Sequence, residues 1–496
     1  MKTIIDRIKR IALAIACIGM LSGCNSWLDL LPENSQSSDQ FWNTKEDVEA
    51  VMNSCYMGLR DNLERFVQWG ELRGDGLLPS TDATNNETMI KSFQLFPDNS
   101  ICSWSNLYKV IGRANAVLKY APQVKEIDPT FETSYLNALV AEATIVRACC
   151  YFYLVRVFGD VPLVVEPYVD DSYQFLIPKT AEAEVLRRIT QDLNDVMEWA
   201  RPQFGTVWET KGRASRWAAY ALLADISLWT EDYAACLTAC DSIINSKNFS
   251  LVPSLEWLSI FAEGNTREGI FELQWNYEQD NTSNNLYTWL YQTPRYVVSP
   301  YTMLLFREKE PNYFDERGYL STYDEALRVW KYAGLSHEPT DLRDGEHRDA
   351  HWIFYRYADV LLMKAEALIM QAKGNVEVYK QAEALILDIR ERAGYARLSE
   401  VEAYTEVNML LNLLMPERTR EFVAEGKRWF DILRVAKREN YKYKQYLIDA
   451  LLQIVNAQQR PIVESSLQDP LGYYFPIYQT EIDNNPQLEQ NPYYEH

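Results

Sequence analysis

The stretch from Ser215 to Ile244 constrains this chain more than any other. An alanine-rich apolar run reaches Trp229, breaks at Thr230-Glu231-Asp232, and resumes with Cys236, Cys240 and Ile243 on one side. Apolar residues returning every three to four positions describe one face of a helix, and so short a break folds the second helix back along the first. Small residues at Ala224 and Cys236 let the two backbones approach. The segment is predicted to be a helical hairpin.

A second hairpin runs from Tyr357 to Ala393. Ala358, Val360, Leu361, Ala365, Ala367 and Leu368 lie on its first helix, Ala382, Leu385, Ile386 and Ile389 on its second, and the turn falls around Lys373-Gly374-Asn375. Hairpins with small residues at the crossing have the form of tetratricopeptide-like repeats, which bury their apolar faces by stacking. Other helices are expected from Thr44, where Glu46 and Asp47 precede the Val48, Val51, Met52, Cys55, Tyr56, Leu59 and Leu63 stripe, and around Leu107 to Leu118. Two more are expected over Thr133 to Phe158, which ends at Gly159-Asp160-Val161-Pro162, and over Thr180 to Ala200.

Between the hairpins the period changes. Gly269 to Trp275 alternates like a short strand, and Asn276 to Pro300 reads as a loop rich in Tyr and Asn. Trp69 to Ser100, with Gly70, Gly74, Gly76 and Pro79, reads as a second long loop, and loops of that length in compact domains are usually functional. The predicted architecture is mainly α. Tetratricopeptide-like hairpins form a scaffold over 44–250 and 350–440, a loop-rich insertion with short β-strands fills 251–349, and an irregular strap with Pro476, Pro486 and Pro492 covers 441–496, all within one domain from 44 to 496.

The chain's beginning is an address. Lys2, Arg7, Lys9 and Arg10 precede an apolar run from Ile11 to Leu21, too short to span a bilayer but suited to an export signal, which ends in Leu21-Ser22-Gly23-Cys24. A small residue before cysteine suits lipoprotein processing, so 1–23 is expected to be removed, Cys24 acylated and 24–43 left as a tether. Cleavage after Ala14-Ile15-Ala16 is the alternative, though it would cut the apolar run in its middle. Buried acyl chains, at about 0.8 kcal/mol per CH₂, hold a folded domain at a membrane without a spanning helix. No segment after Cys24 reads as a transmembrane helix.

A net charge of −21 argues against nucleic acid as a partner. Cys55, Cys102, Cys149, Cys150, Cys236 and Cys240 show no regular spacing and read mostly as small core residues. The common hydrolase, zinc-protease, P-loop and dinucleotide signatures are absent, and no catalytic residue is assigned. His347 and His351 have a spacing that could hold a metal on a helix, but a charged loop explains them better. The run from Asp341 to Asp349 leaves a structural Ca²⁺ open, and no other cofactor is expected. Arg73-Gly74-Asp75 reads as a helix-to-loop turn.

Aromatic residues make 13% of the chain, with 32 tyrosines, more than a core requires. Trp275, Tyr277, Trp289 and Tyr291 crowd one segment among Asn276, Asn281, Asn284 and Asn285, while Asn85 and Asn86 lie in the earlier loop. Sugar rings offer apolar C–H faces and a rim of hydroxyls, which aromatic platforms beside Asn, Asp and Arg suit. Each of these rings serves equally well as core, so both roles stay open. The expected ligand contacts are Trp275, Tyr277, Trp289 and Tyr291, with hydrogen bonds from Arg73, Asp75, Asn85 or Asn86. Arg73 and Arg295 would be the local cations for an anionic polysaccharide.

Longer motifs carry a resemblance. Ala141-Glu142-Ala143 with Arg147-Ala148 and Tyr151 to Leu163, then Tyr355 to Ala367, Arg390 to Gly394, Glu417 to Phe422 with Glu425 to Asp431, and Glu481 to Pro492 together resemble the SusD/RagB nutrient-binding outer-membrane lipoproteins over nearly the whole mature chain. The resemblance implies a SusD-like fold of four tetratricopeptide-like hairpins at the cell surface. It implies a binding protein and not an enzyme, which captures glycan, or peptide in some relatives, and delivers it to a SusC-like TonB-dependent transporter. A surface glycosidase and a peptide-binding repeat scaffold are the competing readings. Glu417, Arg418, Arg420, Glu421, Glu425 and Arg428 stand at helical spacing beside Phe422 and Phe430, and are expected to form buried ion pairs that fix helix register.

Overall fold

In the computed structural model, which describes residues 41–167, 176–306, 315–399 and 401–495, helices pair as their periodicity requires. The export segment 1–23, Cys24 and most of the 24–43 tether lie outside the described residues, and the elements below belong to the unit Thr44–His496. The scaffold helices are α1 (Lys45–Asp61), α2 (Leu63–Glu71), α3 (Ser105–Ile127), α4 (Thr133–Phe158), α5 (Glu182–Val196), α6 (Arg216–Trp229), α7 (Tyr233–Ser246), α8 (Tyr357–Ala372) and α9 (Val376–Arg392). Helix α1 packs on α3, α4 on α5, α6 on α7 and α8 on α9, while α3–α4 and α7–α8 contacts join successive pairs into a stack. Ala224 and Cys236 are fully buried, and Cys236 also reaches the α8 backbone, its sulfur 3.8 Å from the Met363 carbonyl.

Helix α4 sits at the centre and is buried without a break from Ala141 to Phe158. It is long and apolar enough to cross a membrane, yet 94% of its most apolar stretch lies inside the protein. All-round apolarity therefore marks a core helix here. The cysteines from Cys55 to Cys240 are free and buried.

Both expected loops contain ordered elements. Helix α2 continues through Trp69, whose indole N–H donates to the Ile101 carbonyl at 2.9 Å. Strand β1 (Leu77–Pro79) then pairs antiparallel with β3 (Tyr296–Val298), and a short helix, Asn85–Lys91, starts from a reciprocal Thr84–Glu87 capping box. The predicted strand is β2 (Gly269–Leu273), antiparallel to β4 (Trp352–Arg356), with every residue of both buried. The strap differs from expectation, since it holds helices Lys444–Leu452, Arg460–Ser466 and Gln479–Asn484, the first burying Leu447, Ile448 and Leu451. These turns are too short for a clear periodic signal and are stabilised by packing.

The motif region becomes a buried ionic network. Helices α10 (Met415–Phe422) and α11 (Arg428–Tyr441) flank a turn against which β4 ends. Arg356 donates to Glu268 at 2.6 Å, Glu421 at 2.5 Å and both Glu425 oxygens at 2.9 Å. Arg317 holds Asp315 bidentately and reaches Glu417 at 2.6 Å and Glu421 at 2.8 Å, Arg418 forks onto Asp431, and Arg434 onto Glu366. Burial opposes the charge on Glu417, yet Arg317, Arg420 and Arg390 hold its carboxyl down at about 2. Removing one member of such a pair costs about 3–5 kcal/mol because its partner is left charged and unmatched. Gly426 is required beside this network: its φ is +71°, and a Cβ at Gly70 on α2 would run into its carbonyl.

A candidate ligand-binding cleft

Among the ligand contacts expected from the sequence, Trp275 and Trp289 share one wall. A cleft of about 620 Å³ opens between the α1–α2 junction, which contributes Arg60, Asp61 and Glu64, and the insertion, which contributes Trp275, Asn281 to Asn285 and Trp289. The junction forms because the Asn62 side chain donates to the Gly58 carbonyl at 2.7 Å where α1 stops and α2 begins. Met57, Arg60, Asp61 and Glu64 then line one face at helical spacing, away from the buried stripe of Val48, Met52, Cys55 and Leu59.

Across the cleft, β2 delivers Trp275, and Asn276 caps a turn over Tyr277–Asp280 by accepting from the Gln279 N–H. Asn281, at φ +53°, reverses the chain. Asn284 is buried and fixes the return, its amide donating to the Ala350 carbonyl at 2.7 Å and its oxygen accepting from the Leu286 N–H at 2.9 Å. The Trp289 backbone N–H donates to the Asn285 carbonyl at 2.8 Å, which fixes the main chain that carries the second indole.

The cleft offers unspent polar groups. Asn281, Ser283 and Asn285 are exposed, and their side chains are not engaged by any described residue. Glu64 is already committed, accepting from Arg295 at 2.9 Å and Gln68 at 3.2 Å. Arg60 lies with its guanidinium carbon 5.0 Å from the Trp275 ring centre. Burial works against its charge, which Asp280 and Asp61 support through the field.

The remaining expected contacts lie elsewhere. Tyr277 packs in a T-shaped arrangement with His347, with ring centroids 5.1 Å apart. Tyr291 is buried in a small cluster with Leu258, Leu320 and Trp330, its ring 4.0 Å under Arg328, which also donates to its hydroxyl at 3.0 Å. Arg73 and Asp75 require correction. Arg73 is 1% exposed and spends its terminal nitrogens on the carbonyls of Gly472 and Tyr473 and on the Tyr494 hydroxyl, so it fastens the strap. Asp75 is fully buried and forks onto Arg428. Asn85 is exposed at the start of its short helix and Asn86 donates to the Ser100 hydroxyl at 3.2 Å; neither lines the cleft.

His347 and His351 do not share a helix. His351 is buried with Nδ1 2.8 Å from Glu272, whereas His347 lies between Asp344 at 2.8 Å and Glu278 at 3.1 Å. Among the described residues, no group of three or more His, Cys, Asp or Glu side chains is placed to hold a metal ion. Sequence reasoning missed Arg60, Asp61 and Ser283. The stripe of Met57, Arg60, Asp61 and Glu64 running off the end of an amphipathic helix was the available signal.

Comparison with known proteins now decides the family. The SusD family model matches residues 281–494, and a second model, described as starch-binding and associating with the outer membrane, matches residues 26–228. The chain belongs to the SusD/RagB family. It is 27% identical to SusD-like protein P38 of Formosa agariphila over 97% of this chain and 98% of that protein. It is 24% identical to a SusD-like protein of Bacteroides ovatus over 98% and 91%. A SusD superfamily structure from Bacteroides vulgatus superposes with a TM-score of 0.74 at 21% identity, covering 91% of this chain and 100% of that one. Another, from Bacteroides fragilis, gives 0.72 at 19%, covering 92% and 100%. The mainly helical architecture is the SusD fold.

Proposed function

We propose that this SusD-like protein is a non-catalytic glycan-binding lipoprotein of the outer membrane, acylated at Cys24 and displayed at the cell surface. It captures oligosaccharide in the Trp275–Trp289 cleft and passes it to a SusC-like TonB-dependent transporter. Family membership supports the outer-membrane setting and the carbohydrate ligand.

The observation that carries the reading is the composition of the cleft: two indoles on one wall, with the unspent side chains of Asn281, Ser283 and Asn285 between them. Trp289 is half-buried and takes the sugar face, while Trp275, 5% exposed, contributes through what it holds in place. A stacked ring adds about 1 kcal/mol beyond its buried area, and hydrogen bonds to hydroxyls are largely exchanged against water. Affinity is therefore expected on the order of micromolar to millimolar and to rise with oligosaccharide length.

A glycan array followed by calorimetry tests this, with an assay for new reducing ends run on every ligand that binds. Binding without new ends is the expected result. Cleavage would replace the reading with a glycosidase, and retention of peptides with no glycan bound would replace it with a peptide-binding protein.

A further inference from the structure

Three arginines of the insertion pair with carboxylates of the protein. Arg295 is held by Glu64 and Glu87, Arg328 by Asp324, and Arg343 by Asp349. Arg60 is different. Its side chain makes no hydrogen bond and no ion pair with any described residue, and it lines the cleft while lying over Trp275. Asp61 and Asp280, the carboxylates that act on it, are exposed and reach it through the field alone.

A half-buried guanidinium without a carboxylate is a cation whose donors are still to be used. The planar fork matches two oxygens of one oxyanion, and such charge-assisted pairs are roughly twice as strong as neutral hydrogen bonds. Stacking on an indole adds cation–π attraction and holds the fork in place. The net charge of −21 is screened beyond about 8 Å at physiological salt, whereas Asp61 and Asp280 lie close to Arg60 and oppose an anionic ligand, so the direct charge-assisted contact has to outweigh those two carboxylates.

We propose that Arg60 is the discriminating residue of the cleft and that it selects an oxyanion carried on a sugar ring, the carboxylate of a uronic acid or a sulfate ester. The inference rests on reading the cleft as a glycan site. Trp275 is then a positioning residue that seats Arg60, Trp289 stacks the sugar, and Asn281, Ser283 and Asn285 meet its hydroxyls.

The test uses an array of oligosaccharides in which each uronic or sulfated member is paired with its carboxyl-reduced or desulfated counterpart. The wild type is expected to favour the acidic member of at least one pair by about tenfold, as a bidentate charged contact implies. The two kinds of pair distinguish carboxylate from sulfate. Arg60→Gln should collapse that ratio toward one, and Arg60→Lys, which keeps the charge and loses the fork, should restore part of it; melting temperatures establish that both variants fold. Equal or better binding of the neutral members by the wild type overturns the inference while leaving the glycan reading intact, as does an acidic preference that survives Arg60→Gln. A wild type that binds no glycan overturns the glycan reading and this inference with it.

Discussion

The network around α10 and the cleft beside Trp275 treat charged and polar side chains in opposite ways. Around α10, Arg317, Arg356 and Arg392 share Glu268, Glu417, Glu421 and Glu425 in the interior, and their nitrogens meet several oxygens at once. In the cleft, Arg60 has no carboxylate partner among the described residues, and Asn281, Ser283 and Asn285 keep their groups free. Charges buried together must be matched nearly one for one, because desolvation otherwise exceeds the attraction gained. A cleft open to water carries no such demand, so it can hold groups whose partner has yet to arrive. The recognisable motifs of this chain therefore serve the fold, while the cleft proposed to bind ligand lies where no motif stands.

The sharpest way to break this comparison is to damage the network. Arg356→Ala should cost about 3–5 kcal/mol of stability by leaving Glu268, Glu421 and Glu425 without their shared cation. Urea denaturation measures it, and an unchanged midpoint would show that the network contributes nothing. Ligand affinity of the folded fraction should stay as it was.

Two neighbouring aromatics sharpen the contrast next. Tyr291→Ala should lose about 3 kcal/mol or more of stability, since its ring is packed against Trp330 and Arg328, and should retain binding. Trp289→Ala should do the reverse.

A pH-dependent effect belongs to Glu71, which accepts from the Gly426 N–H at 2.7 Å while burial pushes its carboxyl up to about 8. Between the ordinary carboxylate range and that value, the folded state holds a proton that the unfolded chain releases. This contribution to stability is thus complete at low pH and declines as pH rises, by at most about 1.4 kcal/mol per unit, until it is lost through about 8. Glu71→Gln should flatten that slope, and denaturation at pH 5, 6.5 and 8 would reveal a slope that persists.

The smallest expected effect is at the rim. A neutral imidazole has one N–H, yet His347 faces Asp344 and Glu278 with its two nitrogens, and these carboxylates raise its affinity for a proton. The tie to Glu278 is complete below the ordinary histidine range and is released as pH rises through the elevated value. Hydrogen exchange at 276–285, corrected for its intrinsic pH dependence, should quicken over that interval in the wild type and be insensitive to it in His347→Gln.

Much of the scaffold was legible because helix period and small-residue crossings are local signals: α6 to α9 and the strand at Gly269–Leu273 follow from them directly. The segment from Trp69 to Ser100 was not. Strand β1 is three residues long and exists because Leu77 meets Val298, a partner far along the chain. Arg73 and Asp75 looked available for ligand because nothing near them in sequence shows that Tyr473 and Arg428 close over them. Of the aromatic segment named from the sequence, Trp275 and Trp289 line the cleft, but which rings face out depends on contacts with Trp330 and His347 that no spacing encodes.

The most direct test of the cleft is calorimetry with an oligosaccharide found on the array, titrated into the wild type and into Trp289→Ala, with melting curves recorded in parallel. Loss of binding by about tenfold or more at an almost unchanged melting temperature is the predicted result, in keeping with a stacked ring at the centre of a small site. Wild-type affinity in a folded Trp289→Ala protein would contradict it and place the ligand site elsewhere.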